Sequence, residues 1–379
     1  MKFIHTADLH LGKVVNGYSM LEDQIYALQQ IKDYVKEHKP DALVLAGDIY
    51  DRAQPAATAI RMYSEFLREV LIDLDTPVLA IAGNHDGADF LEFGHDLFSS
   101  INYHVAGRYN GELKKVILND KHGVVNFYLM PFADYEVVRH YLENEEIKSL
   151  DDATRETLLL NEVDREERNV MVTHNFVVNS NEDLIESDSE KRLFVGGKES
   201  VSASYFDSFD YVALGHLHRN QVVKSKKVCY SGSMLKYSFS EELHTKSVSL
   251  IEMDEKGVLD VSFLPIVPLR DVRTVKGTLA EVLDDAGKSD DYLQVILTDE
   301  GELIEPMAKL REVYPNVMTL RLERDVIRES DDEVIDRCEG KELSPEELFA
   351  RFYESQRGEE LGELRGSVVE SIVKEVLQD

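Results

Sequence analysis

Cysteine is scarce in this chain, with only Cys229 and Cys338 among 379 residues. Two cysteines cannot form a disulfide framework, so a reducing compartment is expected. No apolar stretch approaches the roughly 18 residues that a membrane span needs. No leader peptide is expected ahead of the first predicted strand. These absences favour a cytoplasmic protein, and a hydrophobic content of 43% is enough for a substantial core.

Positive charge is also scarce, because 42 Lys and Arg face 73 Asp and Glu and give a net charge of −31. Such a chain repels DNA as a whole, whereas nucleic-acid-binding proteins usually carry a basic face. Bound divalent cations would add local positive charge, and a partner could supply a phosphate-binding surface. We therefore expect weak affinity for DNA when the chain is alone.

What the chain does contain is a set of metal-ligand residues at the ends of short apolar runs. Five such runs lead to Asp8, His10, Asp48, Asn84, His174, His216 and His218. Runs rich in valine, isoleucine and leucine are typical of strands buried on both faces. Such sheets gather their chemistry where strands end and loops begin. The seven side chains are therefore predicted to meet at one rim.

The chemistry of this set favours a pair of metal ions. Oxygen and imidazole ligands without thiolates suit Mn²⁺, Fe²⁺ or Zn²⁺. Seven ligands are too many for one ion, and suit two ions about 3.5–4 Å apart that share a carboxylate. Each position alone has an ordinary explanation, as a hydrogen-bonded histidine or a Gly-Asp turn. The ordered series Asp-x-His, Gly-Asp-x-x-Asp, Gly-Asn-His-Asp, a strand-ending His and Gly-His-x-His argues against that explanation for the whole.

The order of predicted elements indicates an α/β domain over residues 1–264. Apolar residues recur at helical spacing over 21–35, and Pro40 follows that helix. A second helix is predicted near 56–73, and 220–264 alternate as strands do.

Three further regions follow this domain. Residues 265–328 are predicted to form a small α+β domain, with strands and helices at Arg270–Val275, Thr278–Ala286, Tyr292–Thr298, Pro306–Val313 and Val317–Leu322. Residues 329–342 are acidic and are expected to be a solvated linker. The tail, 343–379, has two amphipathic stretches, which either pack on the parent domain or dock on a partner as a helix in a groove.

The five motifs resemble those of the calcineurin-like metallophosphoesterase superfamily. Within it, the chain is similar to SbcD-type nuclease subunits of the double-strand-break repair nuclease family. The first motif opens the chain, residues 232–239 read GSMLKYSF after the last histidine pair, and residues 343–349 read LSPEELF. Relatives from archaea and eukaryotes usually carry histidine at the position of Asp51, so the role of that residue stays open. Ala53 and Asp86 depart from the protein Ser/Thr phosphatase pattern, which disfavours that subfamily.

The resemblance implies a four-layer β-sandwich flanked by helices, a small α+β capping domain and a C-terminal helical tail. It also implies a nuclease that uses two divalent ions, with Mn²⁺ as the first choice. This activity would be exonucleolytic on double strands and endonucleolytic on single strands and hairpins. The implied partners are DNA, an SMC-like coiled-coil ATPase (SbcC) and a second copy of the chain, bound through helices near 56–71 and 88–100. A cyclic-nucleotide or other small-substrate phosphodiesterase and a non-catalytic scaffold are the alternatives.

Motif positions also imply roles for individual residues. Asp48 is expected to bridge the two ions. The other ligands divide into two sets, Asp8, His10 and His218 for one ion, and Asn84, His174 and His216 for the other. Neither shell needs His85, which is the candidate to protonate or stabilise the leaving oxygen. Asp86 is a candidate to orient His85, and a turn residue is the alternative.

Overall fold

The computed structural model describes residues 1–161, 163–179, 184, 186–190, 200–284, 289–301 and 303–323, with scattered positions from 349 to 373. The chain divides into two compact units, Met1–Leu320 and Arg321–Asp379. The predicted acidic linker, 329–342, lies outside the described residues. Most of the predicted tail, 343–379, lies outside them too, although several of its described positions are helical.

Strands and helices are distributed over the whole first unit. The strands are β1 (Lys2–Thr6), β2 (Val14–Val15), β3 (Tyr18–Ser19), β4 (Ala42–Ala46), β5 (Val78–Ile81), β6 (Tyr103–Ala106), β7 (Lys114–Asp120), β8 (Gly123–Met130), β9 (Arg168–Thr173), β10 (Val177–Val178), β11 (Val201–Ser202), β12 (Tyr211–Leu214), β13 (Gln221–Lys224), β14 (Val228–Tyr230), β15 (Ser247–Met253), β16 (Leu259–Pro265), β17 (Val272–Gly277), β18 (Tyr292–Leu297) and β19 (Val317–Leu322). The α-helices are α1 (Leu21–His38), α2 (Ala57–Arg68), α3 (Ala88–Glu92), α4 (His95–Phe98), α5 (Tyr135–Leu142), α6 (Leu150–Leu160), α7 (Leu279–Asp284) and α8 (Pro306–Val313). A π-helical turn, Glu69–Asp73, continues α2, and 3₁₀ turns form at Ser99–Ile101, Ala203–Phe206 and Phe239–Glu241.

The helix α1 shows how the sequence pattern becomes packing. Its residues Leu28, Ile31 and Val35 are buried in the core. The helix ends where Lys39 adopts a φ of 46°, and Pro40 follows, which cannot continue a helix. The helix predicted from this spacing is confirmed.

Two six-stranded sheets form the centre of the first unit. Their strand orders are β16-β15-β1-β4-β5-β6 and β13-β14-β12-β9-β8-β7. The strands β1, β4, β5 and β6 run parallel, as do β14, β12, β9 and β8. Parallel neighbours end at the same edge, so the loops that follow them lie side by side.

The sheets pack face to face, with helices on their outer faces. Phe3 of the first sheet contacts Phe127 and Tyr211 of the second, with ring centroids 5.4 and 5.6 Å apart. Residues of α1 and α2 join the outer core of the first sheet. Leu150 and Phe206 join that of the second. This is the predicted α/β fold with four layers.

A small three-stranded sheet, β17-β18-β19, with α7 and α8, makes up the α+β region after β16. Arg270 and Tyr292 of this region bind the buried carboxylate of Asp23 in α1, at 2.9 and 2.7 Å. The predicted alternation of strands and helices is confirmed. The domain boundary at 264 remains a prediction. No described helix is long and apolar enough to cross a membrane.

Candidate metal centre

The loops after β1, β4, β5, β9 and β12 converge on one site between the two sheets. They bring together all seven predicted ligands, of which six are buried and Asn84 is half-buried. The fold therefore brings these side chains together at one rim, as the sequence predicts.

One side of the site is formed by Asp8, His10 and His218, whose ligand atoms all lie within 4.8 Å of one another. The Nε2 atoms of His10 and His218 are 3.0 Å apart. His10 Nδ1 is buried and has no hydrogen-bond partner among the residues that the structure describes. Two imidazole nitrogens facing each other beside a carboxylate are an arrangement that a divalent cation fits.

The other side is formed by Asp8, Asp48 and His174, which make a second group within the same 4.8 Å limit. His174 Nε2 lies 3.4 Å from Asp48 Oδ2 and 3.1 Å from Asn84 Oδ1. His174 Nδ1 donates to the carbonyl of Ala46 at 2.8 Å, which leaves Nε2 free to face the carboxylates. The ring of His216 lies beside that of His174, with centroids 5.6 Å apart.

Asp8 belongs to both groups, and Asp48 of the second group also faces a histidine of the first. Asp48 Oδ2 is 3.6 Å from His10 Nε2 and 3.4 Å from His174 Nε2. Its Oδ1 accepts the backbone N–H of His85 at 2.9 Å. One oxygen atom of Asp48 therefore faces ligands of both sets, while the other holds the loop after β5.

The protonation of the site reflects deep burial. Burial lowers the pKa of His216 to about 3 and that of His10 well below its usual value. Burial also raises the pKa of Asp8. At His174 burial opposes the charged form, but the Asp48 carboxylate outweighs it and raises the pKa to about 9. Burial therefore favours neutral His10 and His216. His174, by contrast, is protonated beside Asp48 and must release that proton when a cation binds.

Three glycines allow the loops to approach each other this closely. A Cβ atom on Gly47 would lie 2.3 Å from His174 Nδ1, and one on Gly83 would lie 2.2 Å from Asp48 Oδ1. A Cβ atom on Gly215 would lie 2.0 Å from the Ala46 carbonyl oxygen. The glycine that precedes each of these motifs is therefore a packing requirement, a role that was not assigned from the sequence.

Several of the predicted ligand residues adopt backbone conformations that L-residues rarely use. Asp8, His10 and Asp48 have φ values of 53°, 45° and 50°, and His216 has 103°. Conformations of this kind cost on the order of 1–3 kcal/mol each and cluster at functional sites. The surrounding packing holds the ligands in place at this cost.

Asp86, for which a role in orienting His85 stays a prediction, is bound to the backbone of two loops. The Asp86 carboxylate accepts the backbone N–H groups of Ile49, Tyr50 and Gly83 at 2.8–3.1 Å. It thereby ties the loop after β4 to the loop after β5. Burial raises the pKa of Asp86 to about 7, and the Asp48 carboxylate adds to this effect.

His85 itself is held by the backbone of Asp51. Its Nδ1 donates to the Asp51 carbonyl at 2.9 Å, and its Nε2 lies 4.0 Å from Asp48 Oδ2. The Asp51 side chain, whose role the sequence left open, accepts from Lys13 Nζ at 2.8 Å. The imidazole of His85 is 14% exposed, so it lies at the open side of the site.

A buried ion pair behind His218 was not predicted from the sequence. Glu241 Oε1 lies 3.2 Å from His218 Nδ1, and Lys246 pairs with the other oxygen of Glu241. Burial opposes the charged form of Glu241, but Lys246 and His218 outweigh it and lower the pKa of this carboxyl well below its usual value. Ser189 also contacts His218 Nδ1, at 2.7 Å. No sequence pattern distinguishes Glu241 from the polar residues around it.

Comparisons with known proteins cover the whole described site. A family model for calcineurin-like phosphoesterases matches residues 1–220, and one for the type 5 capsule protein repressor C-terminal domain matches residues 268–357. The SbcD component of the nuclease SbcCD from Staphylococcus epidermidis is 30% identical over 382 residues, which cover 100% of this chain and 99% of that protein.

Two solved structures are also similar, each at 12% identity. A protein of Thermus thermophilus gives a TM-score of 0.39 and covers 69% of this chain and 98% of its own. A dimetal phosphatase from Danio rerio gives a TM-score of 0.41 and covers 70% of this chain and 99% of its own.

Proposed function

Because the chain belongs to the calcineurin-like phosphoesterase family, and within it to the SbcD-type nuclease subunits, we propose that its buried site holds two Mn²⁺ ions for cleaving DNA. The chain is a metal-dependent phosphodiesterase of the nuclease class. The observation that carries the two-ion proposal is the position of Asp48 Oδ2, at 3.6 and 3.4 Å from imidazoles of two different ligand sets.

The ligands are assigned to the ions as follows. Asp48 is shared, Asp8, His10 and His218 hold one ion, and Asn84, His174 and His216 hold the other. The support is the contact pattern, since His10 faces His218 and His174 faces Asn84. Manganese is the first choice because the set contains oxygen and nitrogen atoms but no thiolate.

The residues of the site have different proposed roles in phosphodiester hydrolysis. When bound, the two ions supply Lewis acidity that activates water and stabilises charge on the phosphate. Asp48 and His174 fix the relative positions of the two sides of the site. His85, with Nδ1–H donated to the Asp51 carbonyl, turns Nε2 towards Asp48, and is proposed to protonate or stabilise the leaving oxygen from there.

The acidic composition restricts how DNA is held. At a net charge of −31, the chain alone gains little from phosphate contacts. An SMC-like coiled-coil ATPase, SbcC, is therefore proposed to supply the DNA-binding surface in the cytoplasm. Residues 343–379 are proposed to dock on this partner, after a catalytic domain at 1–264, a capping domain at 265–328 and a linker at 329–342.

An exposed apolar surface on α3 and α4 supports a homodimer. Phe93 is 80% exposed and Leu97 is 76% exposed, with Phe90 and Phe98 beside them at 41% each. Exposed apolar patches of this kind mark interaction sites. A second copy of the chain, meeting this one through α3, α4 and the neighbouring α2, would cover it.

Activity on two substrate classes tests the function. With Mn²⁺, the protein is expected to cleave linear double-stranded and hairpin DNA and to leave cyclic nucleotides intact. Efficient hydrolysis of cyclic nucleotides without DNA cleavage would support a small-substrate enzyme instead. The α+β region after β16 disfavours that alternative, because a small substrate needs no additional domain. Absence of both activities in metal-loaded protein would support a scaffold.

A further inference from the structure

The imidazole of His218 connects the ligand cluster with the ion pair behind it. On one side its Nε2 lies 3.0 Å from His10 Nε2. On the other side its Nδ1 lies 3.2 Å from Glu241 Oε1 and 2.7 Å from Ser189 Oγ. The ring is therefore placed between a site for a cation and a buried carboxylate.

The contacts at Nδ1 determine where His218 carries its proton. The Ser189 hydroxyl donates to Glu241 Oε1 at 2.5 Å, so it has only lone pairs to offer to the imidazole. Glu241 as a carboxylate can only accept. Both neighbours of Nδ1 are acceptors, and a neutral His218 must therefore have its hydrogen on Nδ1 and its lone pair on Nε2.

Lys246 pairs with Glu241 and compensates its charge. Lys246 Nζ contacts Glu241 Oε2, and also donates to the carbonyl of His218 at 2.8 Å and to Ser233 Oγ at 2.9 Å. These three contacts use all the hydrogens of the ammonium group. A buried ion pair of this kind is often no more stabilising than an apolar pair of similar volume, so stability alone does not explain it.

We propose that Glu241 is a positioning residue, which fixes the tautomer of His218 and directs its Nε2 lone pair at the ion bound by Asp8, His10 and His218. This inference rests on the proposed two-ion site. Metal-binding histidines commonly donate their second N–H to such an acceptor, which orients the ring and increases its basicity.

The two sides of the site differ in this respect. His174 donates its Nδ1–H to a neutral backbone carbonyl, that of Ala46. His218 has a carboxylate in the equivalent place. The negative charge strengthens the hydrogen bond to His218. Removing it should therefore weaken the binding of the ion at His218 and leave the binding of the ion at His174 unchanged.

Titration of the full-length, metal-free protein with Mn²⁺ by calorimetry tests the proposal. The parent is expected to bind two ions. Glu241→Gln should bind one ion as the parent does and the other about 10- to 100-fold more weakly. Glu242→Gln, which removes the same charge one residue further along, should match the parent. At saturating Mn²⁺, Glu241→Gln should recover most of the parental kcat with an unchanged KM for DNA.

A second variant distinguishes the loss of the positioning carboxylate from the effect of leaving Lys246 buried without its partner. Glu241→Gln with Lys246→Met removes both charges, and its metal-free form should melt near the parental temperature while still binding one ion weakly. The proposal would be overturned if either Glu241 variant bound both ions with the parental affinity. It would also be overturned if the affinities for the two ions fell by the same factor. A parent protein that binds fewer than two ions would instead overturn the two-ion site.

Discussion

His10 and His218 face each other across the junction of the two sheets, with their Nε2 atoms 3.0 Å apart. His10 follows β1 in the first sheet, and His218 follows β12 in the second. Neutral imidazoles at this distance can share one proton or bind one cation between them. The two sheets therefore each contribute residues to the site. The predicted ligands come together only when both sheets are folded and packed against each other.

We predict that His85→Gln lowers kcat for DNA cleavage about 10²- to 10⁴-fold, the usual contribution of a general acid or base. Its Mn²⁺ content should remain parental, because its Nδ1 contacts only the Asp51 carbonyl among the hydrogen bonds described for this ring. Single-turnover kinetics and metal analysis on one preparation check this. His122→Gln, at an exposed position, is the control. Loss of metal from the His85 variant would assign that residue to the metal shell.

We predict that Gly215→Ala weakens Mn²⁺ binding although it adds a single methyl group. The new Cβ atom would lie 2.0 Å from the Ala46 carbonyl oxygen and 2.6 Å from His174 Nδ1, so the loop and the imidazole must move apart. Gly301→Ala is the control, since apart from its chain neighbours no described atom lies within 4 Å of its Cβ position. Metal titration measures the effect, and equal affinities in the two variants would show that the close approach of these loops is dispensable.

We predict that Phe93→Glu with Leu97→Glu converts a dimer into a monomer. Both side chains are largely exposed on one copy, and burying four carboxylates at a two-fold interface is costly. Analytical sedimentation measures the oligomeric state at a protein concentration on the order of tens of micromolar, the range in which a weak interface forms. The control is Ile117→Glu, which changes a 55% exposed residue of β7. A parent protein that is already monomeric at this concentration contradicts the proposed interface.

We predict that deleting residues 341–379 abolishes binding to the coiled-coil ATPase while metal-dependent cleavage of single-stranded DNA persists. All seven proposed ligands lie before this segment, so their site should stay intact. Co-purification with the partner and cleavage assays measure the two effects separately. If the shortened chain still co-purifies, the docking surface lies in residues 1–340.

Much of the fold follows from local sequence patterns. The strands and the meeting of the predicted ligands were predictable because a run such as Leu43–Ala46 followed by Gly47 and Asp48 combines burial, a turn and a carboxylate in one short motif. Pro306–Val313 was predicted with the bounds that the structure gives it. In these segments the neighbouring residues determine the structure.

Contacts between distant segments could not be read from the sequence. Glu241 lies in a stretch rich in serine and glutamate that suggests a solvated surface, yet it is fully buried against His218 and Lys246. Asp86 follows His85 in the chain, but the fold directs its oxygens to the amides of Ile49 and Tyr50. Both outcomes depend on which loops the two sheets bring together.

The manganese content of the parent protein and of Asp48→Ala, measured after equilibration and desalting, decides whether one carboxylate serves two ions. We expect two ions per chain in the parent and a loss of manganese in the variant, because Asp48 faces both ligand sets. DNA cleavage by the variant should fall below detection while its fold survives. Asp33→Ala, which alters an exposed carboxylate on α1, should retain both ions. An Asp48→Ala protein that keeps two ions, or cleaves DNA near the parental rate, would contradict the shared role of this carboxylate.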